Sequence, residues 1–215
     1  GSLADFRQYV KTKDIFDTDF SVSKHRALPA LGGNLAWGRD FRVGRQTVSV
    51  LASGGMSNGQ QTMDNAWFRL LEATGRTTDE YEYDSYASEL KIAALASLST
   101  TLRDADRISY TLFYARNAVD TYMLREGYDQ ESHQLLGSND VMHVYKLMTH
   151  QLNGRHAFGE RWLLRWSGSW SATSSDEPDR RQVMYLRGED GSLSLFKLNQ
   201  QETMRYFGTL DEDEW

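Results

Sequence analysis

Residues 161–173 read RWLLRWSGSWSAT, three tryptophans within nine positions of a chain whose mean hydropathy is -0.61. At the strand period of two, Trp162, Leu164, Trp166, Gly168, Trp170 and Ala172 fall on one side. Arg161, Arg165, Ser167, Ser169, Ser171 and Thr173 fall on the other, with Leu163 the exception. At 3.6 residues per turn the tryptophans scatter around the axis, and the serine and glycine run lowers helix propensity. The stretch reads as a two-sided strand. Such a strand serves either a soluble sandwich, whose apolar face is core, or a membrane barrel, whose apolar face meets lipid. Taken alone it leaves both open.

The chain has 215 residues, the length of one domain or of a piece of a larger one. With 24 Lys+Arg against 30 Asp+Glu the net charge is -6, and no basic face assembles along the sequence, which sets nucleic acid aside as a partner. The absence of cysteine excludes a disulfide framework and a thiolate metal site. No apolar run approaches the roughly 20 residues of a spanning helix, whereas a barrel strand needs only ~9–11 alternating residues. The chain starts Gly1-Ser2-Leu3, without a charged or apolar export segment, and the run Asp211-Glu212-Asp213-Glu214 before Trp215 reads as acidic rather than as a closing strand. Both ends are therefore expected to be cuts in a longer polypeptide.

Working outward, residues 31–40 (LGGNLAWGRD) and 46–56 (QTVSVLASGGM) read as a hairpin across the basic turn FRVGR. Residues 57–80 read as a long polar segment with a short helix in TMDNAWFRLLEATG, where Trp67, Leu70 and Leu71 share a side and Gly75 ends it. Residues 85–102 alternate, with Leu90, Ile92, Ala94, Ala96, Leu98 and Leu102 on one side; Leu90, Ala94 and Leu98 also fit a helical stripe, so strand is the expectation and helix the alternative. After the turn RDADR, residues 108–117 form a strand with Ile108, Tyr110, Leu112 and Tyr114 on one side. Residues 120–140 form a second long segment. VMHVYKLMTHQL follows as a strand of mixed alternation, and NGRHAFGE turns into the opening strand. Beyond it, SSDEPDRR is a polar loop and Gly188 to Gly191 turn a small hairpin. A strand is expected around IFDTDFSVS in the first 30 residues.

Tight turns near 41–45, 103–107 and 153–160 thus alternate with long segments near 57–80, 120–140 and 174–203. Antiparallel succession puts all short turns at one end and all long loops at the other, the asymmetry of an outer-membrane barrel. Trp37, Tyr110 and Trp162 lie near short turns, where a lower aromatic girdle sits. Trp170, eight residues beyond Trp162, is placed at roughly 20 Å of height for a tilt near 40°, towards the upper margin of a ~25 Å apolar band, with Trp166 between. The fold expected is all-β, an antiparallel up-and-down meander of about eight strands.

The runs TLRDADRISYTLFYARNAVDTYMLREG, NGRHAFGERWLLRWSGSWSATSSDEPDRRQVMYL and LFKLNQQETMRYFGTLDEDEW resemble the barrel portion of TonB-dependent outer-membrane receptors, particularly those of Bacteroidetes-type bacteria. SSDEPDRR directly after a Trp-rich strand and the segment ETMRYFG carry most of that resemblance, which runs from about residue 30 to the end. It implies a barrel of about 22 strands closed by a plug domain. Such a receptor sits in the bacterial outer membrane and imports a siderophore, glycan or other nutrient with energy passed through TonB. This chain supplies about eight of those strands and neither plug nor TonB-contacting segment, so its implied partners are outer-membrane lipid and the remainder of the parent receptor.

Chemistry is sparse. Ser88-Glu89-Leu90-Lys91 matches the S-x-x-K pattern of serine acyl-enzymes, but on a strand Ser88 and Lys91 face opposite ways and no K-T-G follows. His143, His150 and His156 lack the spacing of a helical zinc pair. The clusters Asp176-Glu177-Pro178-Asp179 and Asp211 to Glu214 lack EF-hand spacing and read as solvated charge. No enzyme activity, metal or cofactor is expected. Arg116 and Arg165 are candidate lumen-facing residues, and Asp176, Glu177, Asp179, Arg180 and Arg181 are candidate substrate-facing loop residues. The alternatives are a soluble all-β binding module that uses long loops for recognition and a small complete pore-forming barrel.

Overall fold

The computed structural model describes residues 2–12, 22–23, 25–103, 106–197 and 203–215; most of the strand expected around 15–23 lies outside them. The helix α1 (Leu3–Thr12) opens on a reciprocal cap, in which Ser2 N donates to Asp5 Oδ2 at 2.8 Å and Asp5 N donates to Ser2 Oγ at 3.2 Å. Nothing in the sequence reading anticipated it.

The rest is one sheet. β1 (Leu31–Val43), β2 (Gln46–Leu71), β3 (Thr77–Arg103), β4 (Asp106–Tyr128), β5 (Gln134–Phe158) and β6 (Trp162–Arg187) pair consecutively and antiparallel. β7 (Leu193–Leu195) and β8 (Met204–Glu214) share the outer edge of β6, giving an eight-stranded all-β meander that is not closed. Residues 85–102 are strand, as alternation indicated, not helix.

The long loops are corrected. Most of 57–80, 120–140 and 174–203 is strand, because β2 to β6 run 23 to 27 residues each. No helix forms in 62–75. β2 continues through a bulge between Met63 and Ala66, where Asn65 takes φ +55°, and Gly75 (φ +82°) serves a hairpin turn in which Glu72 N donates to Arg76 O at 2.8 Å. The turn at 129–133 is built on Asp129, whose carboxylate accepts from the N–H groups of Glu131 and His133. SSDEPDRR lies inside β6, with Pro178 in the register shift between Glu177 and Arg180, where a missing N–H breaks no ladder bond. The acidic run is strand too: Asp211 pairs with Ser174 and Glu214 with Ser171. Only the small hairpin keeps its expected form, Gly191 N donating to Gly188 O at 2.9 Å.

The connections still differ between the ends, though modestly. Residues 44–45 and 159–161 join strands at one end; 72–76, 129–133 and 188–192 join them at the other. Of the turn expected at 103–107, residues 104–105 lie outside the described ones.

Antiparallel partners share a face, so register carries one side of the sheet from strand to strand. The face opposite the tryptophans is concave: Asn34, Ser57, Ala93, Asn117, Leu147 and Thr173, one from each of β1 to β6, line a single cavity of about 710 Å³. At the five-residue-turn end, that same face closes over the apolar cluster of Tyr81, Leu135, Met184 and Phe196, with Leu186 packed against it.

Candidate functional site

Trp37, Tyr110, Trp162, Trp166 and Trp170 all project from the convex face, as their parities and the register require. Around them are Leu35, Val48, Val50, Ala52, Ala94, Ala96, Leu98, Ile108, Leu112, Met148, Leu152 and Leu164, an apolar belt six strands wide. Nothing covers it among the described residues: Trp162 is 75% exposed, Leu35 78% and Leu164 50%. An uncovered apolar surface of this width is what marks an interaction site on a folded chain.

Within the belt, Trp37 pairs with Ala52, which is linked through Ala96, Leu112 and His150 to Trp170, so Trp37 and Trp170 occupy one register row. That row is aromatic at its β6 end. Tyr110 OH lies 2.6 Å from His150 Nδ1, the His150 ring is 5.0 Å from Trp170, and Trp170 is 6.0 Å from Trp215. His156 stacks on Trp166 at 6.3 Å. These contacts place the histidines in an aromatic surface; among the described residues no group of three His, Asp or Glu side chains is arranged to hold a metal.

Arg116 and Arg165 face opposite ways. Arg165 pairs with Arg155 on the concave side, whereas Arg116 pairs with Lys146 and that with Ser174, on the tryptophan side. Arg116 is therefore not a companion of Arg165; with Lys146 it forms a cationic pair at the upper border of the apolar rows. Ser88 and Lys91 also point apart, and Lys91 Nζ sits 2.7 Å from Glu89.

The five residues expected on a substrate loop are instead wall residues of β6, and most are engaged within the sheet. Glu177 pairs with His143 across β5, and Asp176 Oδ1 accepts from Thr209 Oγ1 at 3.3 Å. Arg180 lies 5.3 Å over the Tyr206 ring. Asp179 receives Arg205 on both oxygens, at 2.6 and 2.7 Å, and Arg181 Nε at 2.7 Å, clasping β8 to the bulge of β6. Those hydrogen bonds, Arg205 first, hold the Asp179 carboxyl below the usual carboxylate range. The clasp was missed because its partners stand 26 residues apart and only the register joins them.

Asp179→Asn is expected to weaken β8 docking by about 1 kcal/mol, read as loss of amide protection over 204–210 in hydrogen exchange. Because the folded carboxyl titrates below its unfolded value, the clasp's contribution is whole above about pH 4 and fades as pH falls through the depressed value. The parent's protection should therefore drop on acidification and the variant's should not.

On the concave side the cavity walls are mixed, with Gly32, Ala93, Ala115 and Leu147 among polar residues. Asn34, Ser57, Asn117 and Thr173 ring the middle, with Lys91 and Tyr145 at hand. Asn117 Oδ1 is buried there without a protein partner. The sheet thus has an uncovered apolar band on its convex face, while the concave face mixes small and polar residues with Leu51, Leu95, Phe113 and Leu147 and carries the buried apolar cluster at the five-residue-turn end. Compared with known proteins, the chain matches no family model, no curated protein and no solved structure.

Proposed function

We propose that this chain is a section of the wall of an outer-membrane β-barrel, of the TonB-dependent receptor type. In that reading it lies in the bacterial outer membrane and takes part, without enzymatic chemistry, in uptake of a nutrient such as a siderophore or glycan. The observation that carries the reading is the uncovered apolar band on the convex side of the sheet, six strands wide and bordered above by polar and charged residues.

The height of the band supports it. On β6 apolar residues of the convex face run from Trp162 to Ala172 and give way to Ser174 and Asp176. On β4 they run from Ile108 to Tyr114 and give way to Arg116, and on β3 from Leu102 to Leu90 and give way to Ser88. At ~3.3 Å per residue and a tilt of ~40°, the eleven residues of the β6 run project to roughly 28 Å and the seven of the β4 run to roughly 18 Å, which bracket the ~25 Å apolar band of such barrels. The strands continue well past it, so their polar upper halves belong in water on the same side as the five-residue turns. Open backbone on β1 and on the lower half of β6 would be costly in lipid, and pairing with further strands of a parent barrel of about 22 strands removes that cost. The plug, the TonB contact and the cargo specificity belong to that parent.

The test is depth-resolved fluorescence. The chain in vesicles of lipid brominated in mid-acyl positions should lose roughly half of its tryptophan emission, and aqueous iodide should quench little, if Trp166 and Trp170 face acyl chains. A monomer that folds cooperatively without detergent, and whose tryptophans ignore brominated lipid, would support the soluble binding module in its place.

A further inference from the structure

The concave face carries a second groove, at the end of the short turns. There the register sets Arg107 of β4 opposite Arg155 of β5, and Arg155 opposite Arg165 of β6, so three arginines form one row. Like charges directly opposite each other destabilise an antiparallel pair, and here two such pairs are contiguous. Among the described residues none of the three makes an ion pair; Arg107 Nη2 donates to Ser99 Oγ at 3.2 Å. The nearest carboxylate in sequence, Asp106, is committed to the opposite side, accepting from Ala157 N at 3.0 Å and lying 3.8 Å from His156 Nδ1. One row further up the same face stand Ser109, Asn153 and Ser167. All six line one groove of about 470 Å³.

We propose that this arginine row is a binding site for a small polyanion bearing two or more phosphate or carboxylate groups. Guanidinium forks match such oxyanions two hydrogen bonds at a time, which a lysine row could not do. Three neighbouring strands span roughly 10 Å, the length of a diphosphate or a tricarboxylate rather than of a single inorganic phosphate. The serine hydroxyls and the Asn153 amide supply neutral donors beside the charges, and the groove lies within the size range of small-ligand pockets, about 300–1,000 Å³. A bound polyanion would also neutralise the repulsion along the row. The proposal uses only the concave face and stands whether lipid or protein covers the convex one.

The experiment is calorimetric titration of the full chain in detergent micelles at low salt, with pyrophosphate and citrate as the probes. At least one should bind, more tightly than orthophosphate, and raise the melting temperature. Arg155→Gln should weaken binding about tenfold to a hundredfold. Arg155→Lys should fall between, and Arg76→Gln, at the other end of the sheet, should bind like the parent. Relief of like-charge repulsion predicts that Arg155→Gln without anion melts no lower than the parent, which separates lost binding from lost folding; Arg165→Gln provides a second variant. The proposal is overturned if neither probe binds at millimolar concentration, or if both arginine variants bind as the parent does. Binding of a polyglutamate peptide with neither small probe also overturns it, in favour of an acidic protein segment.

Discussion

Leu152→Arg is expected to destabilise the chain in a lipid bilayer by about 2–4 kcal/mol, while Gln151→Arg, one residue away on the same strand, is expected to cost less than about 0.5 kcal/mol. The two positions differ in face, not in strand, length or local propensity. Leu152 projects from the convex side between Tyr110 and Gly168, in the middle rows of the apolar belt, and is 43% exposed. Gln151 projects from the concave side beside Thr111 and Ser169, where an added guanidinium meets polar neighbours and water. The contrast exists only if something apolar lies against the convex face. A half-exposed leucine facing water loses little when it becomes arginine, so in water the pair of variants should be indistinguishable. Denaturant unfolding from vesicles, followed by tryptophan emission, measures both. Equal and small costs in lipid would remove the barrel reading, whatever the parent's other properties.

The residues that made the sheet legible are those near the apolar belt, where one face is apolar and the other polar. Trp162 to Ala172, Val48 to Gly54 and Ile108 to Tyr114 alternate because two different surroundings act on alternate side chains. Beyond the belt the convex face turns polar, so the contrast between the faces weakens and the signal fades while the strand does not. Asp211 and Asp213 fall on one face of β8 and Glu212 and Glu214 on the other, so only pairing with β6 makes that run a strand. The helix expected at 62–75 rested on Trp67, Leu70 and Leu71, whose spacing is coincidental in a strand exposed on both sides. The side of Arg116 was legible, since it shares the parity of Tyr110, Leu112 and Tyr114. Which residues share a register row was not. The common row of Trp37 and Trp170, and the alignment of Arg107, Arg155 and Arg165, follow from partners up to five strands removed, and register is a property of the assembled sheet.

Met184→Ala is expected to cost about 2–5 kcal/mol, the range of a buried large-to-small replacement, and to act first on the segment around β7. Met184 is fully buried, packed with Tyr81, Leu135 and Phe196. Its side chain lies across Gly137, the residue opposite it on β5; a Cβ built there would collide with Met184 Sδ, so the glycine is what admits the methionine. Arg125 closes the cluster from β4, its Nη2 3.6 Å from the same sulfur and its guanidinium 5.5 Å over the Tyr81 ring, and burial pushes its pKa down. Shortening Met184 leaves a void beside a buried cation whose Nε already lacks a protein partner, and water entering there competes with the apolar contacts of Phe196. The backbone bond from Phe196 N to Met184 O, 2.9 Å, and the packing of Leu186 against the cluster then tie that residue to β6. Hydrogen exchange should therefore show amides 193–197 losing protection before the sheet as a whole, and Met184→Leu, which nearly conserves volume, should cost less than about 1.5 kcal/mol. If Met184→Ala left both the unfolding midpoint and the protection of 193–197 unchanged, the cluster would not be what fastens the upper edge of the wall, and the ladder pairs of β7 and β8 with β6 would have to hold it.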